Sequence, residues 1–274
     1  MDRTFVAIDV ETTGLEAGVD EIIEVAAVKF RGDEVLEHFN QLVRPRHSLP
    51  LKITRLTGIT IESLAEAPRF SDIAPDLVRF VKSYPLVGHS INFDIKMLQA
   101  QGMRFAQPAY DTFDLATLLM PQAPAYRLST LAATLGITHD EAHRAHSDAD
   151  VTRQVFLHLL KRIEALDLQE LSEISRLTAR MNWSVRDLFG EAERAKAKLV
   201  FVESQEPRTD DQEALPIDTA QNPKSKIFIP LKPTGNTDPI DVADVHQFFA
   251  PDGALGQTFE GYEQRAQQVE MSEA

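Results

Sequence analysis

Residues 5–14 read FVAIDVETTG. Phe5, Val6, Ala7 and Ile8 form the unbroken apolar run of a buried strand. Asp9 and Glu11 then follow two residues apart, and a Thr12-Thr13-Gly14 turn closes the stretch. Side chains at i and i+2 of a strand share a face, so the two carboxylates project together at the strand end. Solvated acids on a frayed end would account for the pair. So would a site that needs concentrated negative charge.

Working outward, residues 21–30 (EIIEVAAVKF) are rich in β-branched residues, the RGD at 31–33 signals a turn, and 34–45 alternates until Pro45. Short connections make these three strands an antiparallel meander. From residue 60 the pattern changes. SDIAPDLVRFVKSY predicts a helix stopped by Pro85, LVGHS a short buried strand, and FDIKMLQAQG a helix ending at Gly102. DTFDLATLLMP predicts another helix, and LSTLAATLG one capped by Ser129 and ended by Gly136. Over 147–166, Val151, Val155, Leu159 and Ile163 recur on one face of a long helix. Strands followed by alternating helix and strand predict an α/β fold with a mixed sheet. Residues 168–199 read as helical and carry the single tryptophan, Trp183. Residues 201–240 have a linker's composition, and 241–274 regain aromatics.

The chain has 274 residues, 43% of them hydrophobic, enough for one sizeable domain and a smaller appendage. It contains no cysteine, which excludes disulfides, thiolate metal sites and a cysteine nucleophile. The first residues lack the pattern of a secretory signal. No apolar run approaches the roughly 18 residues of a membrane span, so a cytoplasmic protein without membrane contact is expected. The net charge of −14 argues at first against a nucleic-acid partner. But residues 1–165 hold 22 acids and 17 bases, whereas 201–274 hold 14 and 5. The negative excess sits mainly in the tail and says little about what the first domain binds.

Two further carboxylates change the meaning of the first two. Asp94 follows the short strand LVGHS at the start of a helix, where an acid also suits the helix dipole. Asp148 lies three and seven residues before Val151 and Val155, on the apolar stripe of the long helix. A carboxylate there is costly unless it is paired or bound to a cation. His143, five residues earlier, is within reach of the same place. Asp150 falls off the stripe and is expected in solvent, and His139 and His146 are expected to be ordinary surface histidines. Converging carboxylates would repel one another, and two divalent cations would remove that cost. Oxygen ligands of this kind suit Mg²⁺ or Mn²⁺ rather than zinc. Two such ions stabilise the attacking and leaving oxygens of a phosphodiester, and a neutral histidine beside them can take a proton from water.

These residues resemble the DEDDh exonucleases, the DnaQ-like 3′→5′ nucleases. DVETTGL (9–15), GHSINFD (88–94) and HRAHSD (143–148) resemble the three motifs of that family in order, and RLTGIT (55–60) a further common segment. The resemblance covers about residues 3–165. It implies an RNase H-like fold, a five-stranded mixed sheet flanked by helices. It also implies Asp9, Glu11, Asp94 and Asp148 as ligands of two Mg²⁺ or Mn²⁺ ions, with His143 as general base. Thr12, Gly14 and Leu15 would meet the 3′-terminal nucleotide, and His89 and Phe93 would line the groove. Ser90 departs from the pattern, which often has asparagine there. The implied activity is removal of nucleoside 5′-monophosphates from nucleic-acid 3′ ends, most directly of single-stranded DNA. An RNA-directed enzyme and a catalytically idle end- or partner-binding module are the alternatives. FEGYEQRAQQVEM (259–271) resembles the segment before the first ATP-binding motif of DinG-type helicases. The domains expected are thus 1–165 for the exonuclease, 166–200 for a helical extension, 201–240 for a linker, and 241–274 for the truncated start of a helicase region, whose motor would be a partner on a longer chain.

Overall fold

Alternate residues of the N-terminal strand enter two different helical layers. The computed structural model describes residues 3–139, 141–181 and 183–203. Strands β1 (Thr4–Thr12), β2 (Ile22–Arg31) and β3 (Glu34–Leu42) form an antiparallel meander. Helices α1 (Leu51–Thr57), α2 (Ile61–Ala65) and α3 (Phe70–Val81) lead to β4 (Leu86–Gly88), which lies parallel to β1. After α4 (Asn92–Ala100), β5 (Ala109–Asp111) completes a mixed sheet in the order β3-β2-β1-β4-β5. Helices α5 (Thr112–Leu119), α6 (Leu128–Leu135), α7 (Ala145–Ala165), α8 (Leu168–Leu177) and α9 (Arg186–Glu203) follow. The five-stranded mixed sheet with flanking helices is the architecture expected from the sequence.

β2 is buried along nearly its whole length, as its apolar run demands, because it sits between β1 and β3 with both faces covered. Val6, Ile8 and Val10 face Phe70, Leu77, Phe80, Met97 and Leu98 of α3 and α4. Phe5 and Ala7 face the other way, into α5, α6 and α7. There Phe156 of α7 meets Phe5, Tyr110 and Phe30 with ring centroids 5.1, 6.2 and 6.3 Å away. Such fully buried rings each contribute about 1.5–3 kcal/mol from area alone. The same alternation carries Asp9 and Glu11 onto the α7 face.

One local expectation needs correction. Ser129 does not cap α6: Arg127 takes the extended N-cap conformation, its carbonyl accepts the Leu131 amide at 3.0 Å, and Ser129 falls inside the first turn. Residues 168–199 are helical as expected, in two helices separated by residues 178–185. The first opens with a capping box between Asp167 and Glu170, and both pack on the sheet domain. Leu171, Val185, Leu188 and Phe189 join the core, Trp183 stacks on Phe189, and Arg3 bridges Glu191 and the Tyr110 hydroxyl. Strand β5 and helices α1 and α2 run three to seven residues, too short for a periodic pattern. All but the first three residues of the linker expected at 201–240, and all of 241–274, lie outside the described residues.

Phe156→Ala should remove the centre of the aromatic cluster and lower stability by about 3–5 kcal/mol. Urea titration should show an earlier midpoint with an unchanged slope.

Candidate active site

Asp9 and Glu11 occupy the last turns of β1 where pairing with β2 becomes irregular. Glu11 lies opposite Glu24, and Thr12 opposite Ile22, so Ile23 is left as an extra residue on β2. The chain then reverses through 13–21 under local bonds. Thr12 Oγ1 donates to the Gly14 carbonyl at 2.5 Å, and Thr13 Oγ1 donates to Asp20 at 3.1 Å and accepts the Glu21 amide at 2.9 Å. A Cβ on residue 14 would stand 2.5 Å from the Asp20 carboxylate, so the close approach requires glycine. Thr12 is buried, while Leu15 at the tip is 85% exposed.

Asp94, in the first turn of α4, reaches β1 from the opposite layer and is buried. Its Oδ1 accepts the Val10 amide at 3.0 Å. Phe93 is half-buried against the α3–α4 core. The loop before α4 is pinned by Asp111, whose carboxylate accepts the amides of Ser90 (2.9 Å), Ile91 (3.0 Å) and Phe113 (2.9 Å). This bonding holds Ser90 at φ 62°, a left-handed conformation that asparagine adopts more readily than serine. The His89 ring bonds Thr112 Oγ1 through Nδ1 at 2.9 Å, and burial lowers its pKa.

Asp148 stands in the first turn of α7 with its amide on the Arg144 carbonyl. His143 precedes the helix at φ 65°, its side chain exposed and its amide 3.3 Å from Asp148 Oδ2. Glu11, His143 and Asp148 each bring a ligand atom within 4.8 Å of the others, a group able to hold a metal ion. His139 departs from expectation. It is not a surface residue, because its Nε2 lies 2.5 Å from Asp148 Oδ1 and its side chain is 7% exposed. Asp150 is not simply solvated either; it accepts from Arg153 and Gln154 along its own helix. His146 is exposed and stacks on His38.

Glu24, Arg144, Asp111 and His139 escape a reading based on motifs alone. Glu24 is fully buried, and both its oxygens are used: Oε1 accepts Arg144 Nη2 at 2.9 Å, and Oε2 accepts Arg144 Nε at 3.2 Å and the Ala145 amide at 3.1 Å. It therefore caps α7 from the neighbouring strand. The signal was present as a lone glutamate within the apolar run IIEVAAV.

The electrostatics follow from this crowding. Burial holds the Asp9 carboxyl well above the usual range, and the charges of Asp94, Asp148, Glu11 and Glu24 add to the effect. Burial, then Asp148 and Glu24, pushes Glu11 up to about 7 despite Arg144. Asp94 is pushed up to about 8, mainly by burial and against its bond from Val10. Asp148 is raised by burial, opposed by its bonds from His139 and His143.

Residues 6–156 match the exonuclease family RNase_T. The chain belongs to that exonuclease family. The exonuclease is 35% identical over 181 residues to the PolC-type DNA polymerase III of Thermotoga maritima, covering 64% of this chain and 13% of that protein. It is 34% identical over 168 residues to the DNA polymerase III subunit epsilon of Aquifex aeolicus, covering 60% of this chain and 83% of the relative. It is also 33% identical over 182 residues to the 3′-5′ exonuclease DinG of Bacillus subtilis, covering 64% of this chain and 20% of that protein. The chain thus spans about an eighth of the PolC-type relatives it matches. Among solved structures, exonuclease X in complex with 5′ overhanging duplex DNA superposes with a TM-score of 0.51 at 21% identity, over 68% of this chain and 99% of that one. That likeness shows the shared RNase H-like fold. No helix among the described residues is long and apolar enough to cross a membrane.

Two predictions follow from the supporting residues and the acids. Arg144→Met should strand Glu24 as a buried unpaired charge and cost about 3 kcal/mol, the low end for such pairs because Arg144 is partly exposed. Pairing it with Glu24→Met should restore part of that loss in chemical denaturation. The raised carboxyls bind more protons folded than unfolded, so their contribution is complete below about pH 4 and is lost as pH rises through about 7 and 8. In chelator, the melting temperature should therefore fall between pH 6 and 8.5, and Asp94→Asn should flatten that slope in calorimetry.

Proposed function

We propose that the chain removes nucleotides one at a time from the 3′ ends of nucleic acid, with single-stranded DNA as the favoured substrate, releasing nucleoside 5′-monophosphates. The observation that carries this reading is the convergence of four acids: Glu11 and Asp148 bring ligand atoms within 4.8 Å of each other and of His143, and Asp94, Asp148 and Glu11 lie near enough to Asp9 to raise its proton affinity. They come from β1, α4 and α7, and His143 stands at the rim. Nothing in the hydrophobic core calls for such a group of acids, and an oxygen-rich donor set of this kind suits hard divalent cations. Asp9, Glu11, Asp94 and Asp148 would hold two ions, Mg²⁺ or Mn²⁺. When bound, these would stabilise charge on the attacking and leaving oxygens.

The chain's own residues do the rest. His143 accepts a proton from the attacking water at a ring nitrogen; its side chain is exposed, so it can meet solvent and substrate together. The bond from phosphorus to the 3′ oxygen breaks, leaving a 3′-hydroxyl on the shortened strand and the phosphate on the departing nucleoside. Leu15, exposed at the tip of its turn, packs against the terminal base, and Thr12 and Gly14 hold the backbone of that turn. His89 and Phe93 line the groove on the α4 side. His139 and the Glu24–Arg144 pair hold Asp148 and the start of α7. The likeness of 259–271 to DinG-type helicases, and the match to a DinG relative, support an ATP-dependent motor as partner on a longer chain.

End-labelled DNA and RNA oligonucleotides, with the label at either end, test the reading. With Mg²⁺ the wild type should release labelled mononucleotides from 3′ ends, faster from DNA. EDTA or Asp9→Asn should lower the rate by about a thousandfold or more, and His143→Ala by about 10²–10⁴-fold. Full activity in Asp9→Asn would reject the reading. Binding without metal-dependent release would leave an idle end-binding module, and faster release from RNA would reassign the substrate.

A further inference from the structure

A cleft of about 800 Å³ opens from the acidic site toward the start of α6. His143, Asp148 and His89 are on its wall together with Phe113, Tyr126 and Arg127. It is too large for an ion or a lone phosphate and falls toward the upper end of the range for small-ligand sites. Leu15, the proposed contact of the terminal base, is not on its wall. The cleft is therefore a surface distinct from that contact.

Its wall combines two unlike features. His89, Phe113 and Tyr126 make a chain of rings, with centroids 6.1 and 6.0 Å apart and both pairs edge-on at 69°. The edge-on packing leaves Phe113 40% exposed within the cleft. Tyr126 is held by its hydroxyl bond to the Met120 carbonyl, and Phe113 by the Asp111 bond to its amide, so the rings are fixed in place. Beside them Arg127 is exposed, makes no ion pair or side-chain hydrogen bond among the described residues, and does not use its side chain to cap α6. Its guanidinium is thus available to a ligand in the cleft it lines. A fixed exposed ring beside a free guanidinium, continuous with a phosphodiester-cleaving centre, matches how single strands are held: bases stack on aromatic faces and phosphates meet cations.

We propose that this cleft is the subsite for the nucleotides immediately 5′ of the scissile bond, with Phe113 stacking a base and Arg127 engaging the phosphate between them. The assignment rests on the proposed function and extends it. The occupant is a single strand, since a base inside a duplex has both faces covered by its stacked neighbours.

The test measures binding of fluorescein-labelled oligothymidylates of two to eight nucleotides by anisotropy, with Ca²⁺ in place of Mg²⁺. For the wild type, affinity should rise with length over the first few nucleotides. Phe113→Ala should flatten that rise by about ten- to a hundredfold, and Phe113→Tyr, which keeps a ring, should restore it. Arg127→Gln should lower the slope of log affinity against log salt by about 0.7, the value for one phosphate contact on a single strand. Matching thermal midpoints would show that the variants are folded. The same length dependence and salt slope in variants and wild type would overturn the subsite. So would an equal loss at every length, dinucleotide included, which would put the residues on the terminal nucleotide. Length-dependent binding by the wild type without mononucleotide release would remove the exonucleolytic reading for this chain and leave the subsite standing.

Discussion

The bond between buried Glu24 and Arg144 ties a helix to a strand at the place where the chemistry is concentrated. α7 packs across the sheet through Val155, Phe156 and Leu159, and apolar packing of that kind tolerates sliding by a fraction of a turn. Sliding would move Asp148 relative to Glu11. A bidentate carboxylate that also accepts the first amide of α7 tolerates much less, because its partners must meet two fixed oxygens. Since Glu24 sits opposite Glu11 in the β1–β2 register, the helix start is referenced to the same strand pair that presents the first two acids.

The site is in tension with its own charges. Left to themselves, Asp9, Glu11, Asp94 and Asp148 bind protons more tightly than they would in water, and bonds to neighbouring groups hold part of the site together. Asp94 anchors the Val10 amide, Asp148 meets His139 and the His143 amide, and Asp111 fixes the loop that carries Ser90. These bonds hold the carboxylates in place before any cation arrives. Little reorganisation is then needed on binding, which is the condition for strong electrostatic stabilisation of a developing charge. His143 differs from the acids in being exposed and in a left-handed backbone conformation, as suits the proposed general base.

The extension after residue 165 is part of the same body. Arg3, at the beginning of the sheet, binds Glu191 of α9 and the hydroxyl of Tyr110 on β5, and Phe189 enters the core. The strands that carry the acids are thereby braced at the end opposite the site.

Much of this was legible in the amino-acid order. Strand alternation alone puts Asp9 and Glu11 on one face, and helix periodicity puts Asp148 beside the stripe of Val151 and Val155, because both are consequences of local backbone geometry. The order of elements implied a mixed sheet for the same reason. Local pattern could not show which distant groups complete the site. His139 looked like a surface histidine until folding set it against Asp148, and Glu24 was an unexplained acid in an apolar run until Arg144, 120 residues away, closed on it. Strand β5 was too short to leave a pattern, yet its last residue pins the loop of the second motif. Periodicity records which side of an element faces inward. The partner it meets there is set by how helices and sheet pack, and that is a property of the whole chain.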